Sequence, residues 1–346
     1  MKPMRRRWIA PSALTSAAAA IAFAGWFPYY RLEREVAAAR AEGLWTELSD
    51  IPKAIEATLP KGENAAPLIR EAIAKGKESG MHKAEVGEVA RRILKGTSTS
   101  LDRARFLEIV TKNQSVLETW RRAARCPRLD YKRDWSQGYA VLFPEFADIK
   151  RASQILSATA AVGTQPKGNL LAAARLSVLT RQEPSVIAQL VSVAIGRIAL
   201  KEAKREGLAT EVEKALGPPP DVRWTYAAEF PCALDTMRRV GDPEWFKYMG
   251  ASDQRSFAER IRNTGPWKAN AAYRLVHEYR QLWSEMPKEP KDYDTAIRAI
   301  DRWVPKINAE LWDASSIMSK LMGGSSDVSD FVKSFKKFEA ERQATR

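Results

Sequence analysis

Residues 168–208 read GNLLAAARLSVLTRQEPSVIAQLVSVAIGRIALKEAKREGL, the plainest structural signal in the chain. Two segments rich in Ala, Leu and Val flank Pro184, which ends the first helix because proline has no backbone N–H to donate. The second segment is apolar on most sides, at Ile187 and Leu190 among others, so we expect it at the centre of a core. The stretch predicts an αα-hairpin.

The rest of the chain shows the same helical character. Ala, Leu, Glu, Lys and Arg dominate nearly every segment, whereas alternating β-branched runs bounded by Asn-Gly or Asp-Gly turns are absent from the sequence. One long helix is predicted from Leu101 to about Arg125, with Ser100 as its cap. No second copy of the hairpin follows at a period of about 34 residues. We therefore expect an all-α fold, either an irregular helical bundle or a short αα-hairpin solenoid.

Composition changes at Gly217–Pro220, where GPPP interrupts the helical pattern and aromatic residues become denser. Gly323–Ser326 predicts a flexible joint further along the chain. The expected units are helical lobe 1 at residues 31–216, helical lobe 2 at residues 221–322 and a C-terminal amphipathic helix at residues 327–346. In that last helix one side carries Phe331, Phe335 and Phe338.

The N-terminus is typical of an export or anchoring signal. Lys2 and Arg5–Arg7 precede an uncharged run from Trp8 to Tyr30. As a helix, this run is about 33 Å long, against about 30 Å for the hydrocarbon core of a bilayer. Aromatic side chains at both ends suit the two water–lipid boundaries; they are Trp8, Trp26, Phe27, Tyr29 and Tyr30.

These features predict a cytoplasmic stub and a transmembrane anchor at residues 1–30. The basic N-terminus places that end in the cytoplasm, so the body faces the periplasm or the outside of a bacterial inner membrane, with a single pass. The alternative is a cleaved signal peptide, with Ala22-Phe23-Ala24 as the cleavage site and a secreted body.

The chain has 346 residues and a formal net charge of +14. Such a charge favours nucleic acid, anionic lipid or an acidic polymer as a neighbour. The basic residues, however, are interleaved with acidic ones, as in KEAKREGLATEVEK, whereas nucleic-acid binders concentrate them in a stripe or arm. We interpret the excess mainly as solvated helix faces, which disfavours nucleic acid as the partner.

Cysteine and histidine are scarce. Cys126 and Cys232 form no C-x-x-C motif, so no zinc site is expected. In an exported domain they could form a disulfide, and the alternative is two buried free thiols. Of the two histidines, His82 lies among charges in a predicted loop and His277 on a predicted helix face. No cofactor or metal is expected.

Carboxylates are the remaining candidates for chemistry. Asp130, Asp134, Glu145 and Asp148 lie around Trp135 in the sequence. A carboxyl pair beside aromatic rings is the arrangement that glycoside hydrolysis requires. The favoured interpretation is structural: Asp130 and Asp134 cap helices or form ion pairs with neighbouring bases, and Trp135 anchors the loop.

Three segments resemble a group of uncharacterised bacterial proteins with an N-terminal anchor and an all-helical exported domain. They are ENAAPLIREA (63–72), CPRLDYKRDWSQGYAVLFPEFADIKRASQILSATA (126–160) and the hairpin at residues 168–208. The resemblance implies topology and fold, and it implies no activity, cofactor or catalytic residue.

The leading hypothesis is a membrane-anchored cell-envelope module that binds another envelope protein or an anionic polymer, and an enzyme is less favoured. A second hypothesis is a carboxylate-based envelope polysaccharide hydrolase. A third is a basic, cytosol-facing protein that binds nucleic acid, for which a steep salt dependence would be the sign.

Overall fold

The computed structural model describes residues 9–239, 265–289, 292–314 and 328–345. Within these ranges the chain is all-helical, as predicted, and contains no β-strand. In chain order the helices are α1 (Ile9–Ala41), α2 (Asp50–Thr58), α3 (Ala65–Glu78), α4 (Ala84–Lys95), α5 (Ser100–Lys112), α6 (Gln114–Arg125), α7 (Glu145–Ala161), α8 (Pro166–Thr180), α9 (Val186–Arg205), α10 (Ala209–Ala215), α11 (Val222–Arg239), α12 (Gly265–Glu285), α13 (Tyr293–Ala314) and α14 (Val328–Gln343). A 3₁₀ helix, Trp135–Ala140, lies between α6 and α7.

The predicted αα-hairpin is formed by α8 and α9, which pack against each other. Ser185 caps α9, because its side chain accepts a hydrogen bond from the N–H of Ala188 at 3.1 Å. The buried Ser177 hydroxyl joins the two helices by donating to the Ser192 carbonyl at 2.8 Å. Helix α7 packs against both helices and against α4, so these four helices form the centre of the body.

Two predictions about helix faces and limits were wrong. Ile187 and Leu190 lie on the outer side of α9 and are 52% and 41% exposed. The long helix predicted from Leu101 to Arg125 is instead two helices, α5 and α6. They separate at Asn113, whose side chain donates to the carbonyl of Ile109 at 2.8 Å and so competes with continued helix.

The start of α5 also differs from the prediction. Thr99, not Ser100, is the cap: its hydroxyl accepts from the N–H of Asp102 at 3.0 Å, and the Asp102 carboxylate accepts from the N–H of Thr99 at 3.1 Å. This reciprocal pair is a capping box.

The amphipathic C-terminal helix is present as α14, which packs on α13 and α9. Phe335 and Phe338 are buried in the main core cluster. That cluster contains residues from both sides of Gly217–Pro220, from Ala39 to Phe338, so packing is continuous across the expected boundary. The division into two lobes stays a prediction.

Both cysteines are buried free thiols. Cys126 belongs to the main core cluster, whereas Cys232 belongs to a smaller one formed by α2, the 3₁₀ helix and α11. The structure thus shows the free-thiol alternative and not the disulfide.

Helix α1 continues through Pro28, and its second half packs along α12. None of the helices in the described ranges combines the length and the apolar character that a membrane crossing requires. Trp8, the joint at Gly323–Ser326 and the side chain of Phe331 lie outside what the structure describes.

Candidate functional site

The segment between α6 and α7 carries the predicted site residues Asp130 and Asp134, and Asn64 fixes its position. Asn64 Oδ1 accepts from the backbone N–H groups of Ala66 at 3.1 Å and of Asp130 at 3.0 Å, and its Nδ2 donates to the Asp130 carbonyl at 2.7 Å. The bond from Ala66 caps α3. One side chain therefore holds the helix start and the segment together.

The Asp130 carboxylate is buried and fully engaged. Its Oδ1 accepts from the N–H of Lys132 at 2.8 Å, and its Oδ2 lies 2.9 Å from Arg128 Nη2 and 2.7 Å from Lys132 Nζ. Burial opposes the charged form, but the bonds from Lys132 and Arg128 outweigh it and lower the pKa of Asp130. A carboxyl group with a lowered pKa is poorly suited to donate a proton near neutral pH.

Asp134 is exposed and caps the 3₁₀ helix. Its Oδ1 accepts from the Ser136 hydroxyl at 2.6 Å and from the Ser136 N–H at 3.1 Å, and its Oδ2 accepts from Gln137 Nε2 at 3.2 Å. These bonds from Ser136 and Gln137 lower the pKa of Asp134. The contacts are those of a helix cap.

Glu145 takes part in a buried ionic cluster centred on Arg133. Arg133 Nη2 lies 3.0 Å from Glu145 Oε2, while Arg133 Nε donates to both carboxylate oxygens of Glu183 at 2.9 and 2.7 Å. The Arg133 guanidinium also lies 4.5 to 4.6 Å from the ring centres of Tyr131 and Phe143. Two carboxylates thus share one arginine inside an aromatic enclosure.

Glu183 was not predicted as a site residue. Burial raises its pKa to about 7, against the opposing effect of the Arg133 charge. The sequence signal that could have identified it is a lone acid in the turn of a hairpin predicted to be buried. Its partner, Arg133, is 50 residues away in the chain, so sequence spacing alone does not reveal the pair.

Asp148 lies apart from the other three carboxylates, beside His82. Its Oδ1 is 3.2 Å from His82 Nδ1 and 3.8 Å from Arg151 Nη1, and its Oδ2 is 3.5 Å from Lys77 Nζ. His82, expected among charges in a loop, is buried and its ring is stacked over Trp120. Burial lowers the pKa of His82, although the bond to Asp148 acts in the opposite direction.

A second acid, Glu229, is partly buried and lies where α9 begins. Glu229 Oε1 accepts from the N–H of Val186 at 3.4 Å, and the Tyr139 hydroxyl donates to the Glu229 carbonyl at 3.2 Å. Burial raises the pKa of Glu229 to about 6, and the hydrogen bond from the Val186 N–H to the carboxylate opposes that rise. Neither this acid nor its partners were predicted as site residues.

A cleft of about 490 Å³ lies between the start of α2, the 3₁₀ helix and the end of α11. Its charged lining residues are Glu47, Arg133, Asp134, Asp235, Arg238 and Arg239. Three are acidic and three are basic, and they form ion pairs: Arg238 with Glu47 at 2.8 Å and Arg239 with Asp235 at 2.9 Å. The lining is therefore close to neutral.

Gly138 approaches Asp235, one of the residues that line the cleft. Its φ of 56° and ψ of −128° favour glycine, and a Cβ there would lie 3.2 Å from Asp235 Oδ2. Beside the cleft, along α2, lies a shallower depression of about 740 Å³ that includes Lys53, Glu56 and Lys132. The two share Ser49 and Pro52, so they form one continuous surface.

The structure does not gather the four predicted carboxylates into one site. Of these four, Asp134 alone lines the cleft. Asp130 and Glu145 are engaged by basic side chains, and Asp148 pairs with His82. Within the described residues, no group of three or more His, Cys, Asp or Glu side chains could hold a metal ion.

No protein-family model, no curated protein and no solved structure matches this chain.

Proposed function

We propose that this chain is a cell-envelope interaction module, held at a membrane by its N-terminal segment and binding a partner through the cleft between α2, the 3₁₀ helix and α11. One observation carries the proposal: the turns of α1 that precede Arg31 carry a set of exposed aromatic side chains. They are Phe23, Trp26, Phe27, Tyr29 and Tyr30, each 38% to 58% exposed.

Exposed aromatic side chains in this number support contact with a membrane. Helix α1 packs on α12, with Ala39 fully buried, whereas its five aromatic side chains between positions 23 and 30 remain 38% to 58% exposed. The rings stack in pairs along the helix, Phe23 on Phe27 and Trp26 on Tyr30, with centroids 5.0 Å apart in both pairs. Contiguous exposed apolar surface of this kind is typical of membrane or protein contacts.

The sequence supports the direction of insertion. The four basic side chains that precede Trp8 favour a cytoplasmic N-terminus, which places the body outside the cytoplasm, in a single-pass arrangement. Secretion after cleavage near Ala24 is the alternative.

The lining of the cleft supports a protein as partner in preference to an anionic polymer. Arg238 and Arg239 are already paired with acidic side chains, and the charges of the lining balance. A polyanion would have to displace those acids, whereas a protein surface of mixed charge could exchange ion pairs with them.

Membrane attachment is tested by alkaline carbonate extraction of the full chain from bacterial membranes. We expect the chain in the pellet with its N-terminus intact, and we expect serine at Trp26, Phe27, Tyr29 and Tyr30 together to weaken that retention. The matched control replaces three exposed leucines elsewhere, Leu101, Leu107 and Leu142, which should leave retention unchanged.

A C-terminal tag reports the orientation in the same cells. Digestion of the tag by protease added to intact spheroplasts is the expected result. A protected tag would reverse the orientation, and a soluble, uncleaved chain would contradict attachment altogether.

The cleft is tested by placing a photo-crosslinking residue at Ser136, which lines it, and at Leu101 on α5 as a control. We expect a discrete crosslinked species from position 136 only, and Arg238→Glu should abolish it by breaking the ion pair with Glu47. The same crosslinking from both positions would count against the cleft as the binding surface.

A further inference from the structure

Helices α1 and α12 run side by side in the same direction, because successive contact residues along α1 meet residues in the same order along α12. The Arg31 guanidinium lies 3.9 Å from the ring centre of Tyr273. One turn further along both helices, His277 Nδ1 lies 3.1 Å from Glu35 Oε1. In both contacts the residue number on α12 exceeds that on α1 by 242.

The same register holds toward the C-terminal ends of both helices, and it can also be extended toward their N-terminal ends. Trp283 Nε1 donates to the Glu42 carbonyl at 3.2 Å, a separation of 241 residues. Extended toward the N-termini of both helices by an offset of 242, this register predicts that Trp267 is level with Gly25, in the aromatic part of α1. Trp267 is 66% exposed, so it does not pack between the two helices. Helix α12 therefore contributes a large exposed ring, that of Trp267, at the level of the exposed rings on α1.

We propose that these six rings form an aromatic collar that lies in the interfacial region of a bilayer with anionic headgroups, so that the body docks on the membrane surface in one orientation. The collar consists of Phe23, Trp26, Phe27, Tyr29 and Tyr30 on α1 and Trp267 on α12. This inference rests on the proposed membrane attachment and adds to it the lipid surface that the folded body contacts.

The composition of the collar favours a lipid surface over a second copy of the chain. Four of its six rings belong to Trp or Tyr, whose polar tips and apolar bodies suit the water–lipid boundary. In the sequence, the uncharged run from Trp8 to Tyr30 extends from the α1 rings of the collar toward the N-terminus, as expected for a membrane-directed segment.

Charge at the edge of the collar favours anionic headgroups. Arg31 and Arg34 follow the last ring of α1, and their guanidinium groups lie 5.6 Å from the ring centre of Phe27 and 5.7 Å from that of Tyr30. Arginine in this position can reach lipid phosphate while its side chain stays against the rings.

The test uses the full chain in nanodiscs that hold one copy each, with an environment-sensitive dye on Trp267→Cys. Both native cysteines are buried, and the unsubstituted chain measures any background labelling. Lipids brominated near the headgroup should quench the dye at position 267 and should not quench it on Leu101→Cys, an exposed site on α5. An unquenched dye at 267 in a disc-bound chain would overturn the collar while leaving membrane attachment intact.

Two further outcomes are decisive. A chain that does not associate with discs overturns both proposals, and quenching that requires two copies per disc assigns the collar to a second copy.

In discs containing phosphatidylglycerol, Arg31→Gln and Arg34→Gln should each weaken docking about fivefold. The matched pair Arg103→Gln and Arg105→Gln on α5 should have no effect, and an equal loss in both pairs would overturn the role of the headgroups.

Discussion

At the scale of single residues, His82 makes the stability of the fold sensitive to acid. Its buried ring favours the neutral form, so the pKa in the folded chain lies below the ordinary value of 6.5. The unfolded chain then binds a proton first as the pH falls, so the free energy of unfolding decreases below about pH 6.5. Asp148 reduces this effect without cancelling it.

We therefore expect His82→Gln to flatten the fall in unfolding free energy between pH 7 and pH 5. Urea denaturation at a series of pH values measures the slope. Val110→Ala, which removes packing from a fully buried position, should lower stability at every pH and keep the slope of the unaltered chain. An unchanged slope in His82→Gln would contradict the assignment.

Glu229 has the opposite effect to His82: it lowers the free energy of unfolding as the pH rises. Burial raises its pKa from 4.5 to about 6, so the folded chain favours the protonated acid, and this contribution is lost as the pH rises through about 6. A shift of about 1.5 units corresponds to about 2 kcal/mol. Between pH 4.5 and pH 7.5, the stability of Glu229→Gln should therefore rise by about that amount relative to the unaltered chain. If urea denaturation gave the same pH dependence of stability for Glu229→Gln and the unaltered chain, the raised pKa of Glu229 would be excluded as its cause.

Contacts between residues close in the sequence could be predicted at the candidate site, whereas contacts between distant residues could not. Asp134 caps a turn through Ser136, two residues away, as capping preferences predict. His82 and Asp148 are 66 residues apart, and no local pattern indicates that they meet. Their pairing depends on how the helices pack, which one sequence does not specify.

At the scale of elements, the helices follow from composition, whereas some of their limits depend on single side chains. The apolar pairs Ile109-Val110 and Val116-Leu117 are seven residues apart, as on one continuous helix face, so the pattern predicts one helix where the structure has α5 and α6. The hydrogen bond from the Asn113 side chain to Ile109 supplies the missing information. Propensity thus identified the element type, and side-chain competition set its end.

Gly196 is required for α14 to dock on α9. A Cβ at this position would lie 2.6 Å from Cζ of Phe338, a buried ring. Replacing a helix-internal glycine with alanine ordinarily stabilises by about 0.5–1 kcal/mol. We expect Gly196→Ala to reverse that sign and to raise hydrogen exchange across α14.

Gly87 on α4 is the matched control, because the nearest atom to its Cβ would be Arg151 Nε at 3.8 Å, an ordinary contact. Gly87→Ala should therefore follow the usual rule and stabilise the chain. If Gly196→Ala stabilised to the same extent, close contact would not be what fixes the C-terminal helix.

At the scale of the whole molecule, the sequence predicted the all-α class and left the arrangement of helices open. The class follows from residue preferences that recur along the chain, and so needs no tertiary information. The arrangement depends on contacts such as the hydrogen bond from Tyr139 to the Glu229 carbonyl, which joins residues on either side of Gly217–Pro220. Because the packing is continuous across this boundary, we expect the two sides to affect each other's stability.

The main core cluster joins residues on both sides of Gly217–Pro220, so we expect the chain to unfold as one cooperative unit. Phe230→Ala in α11 should cost about 3–5 kcal/mol and lower hydrogen-exchange protection in α7 to α9 as well as in α12. Leu156→Ala in α7 is the reciprocal change and should lower protection in α12. If each substitution affected only its own side, the two predicted lobes would be independent units, because a shared core cannot lose stability on one side alone.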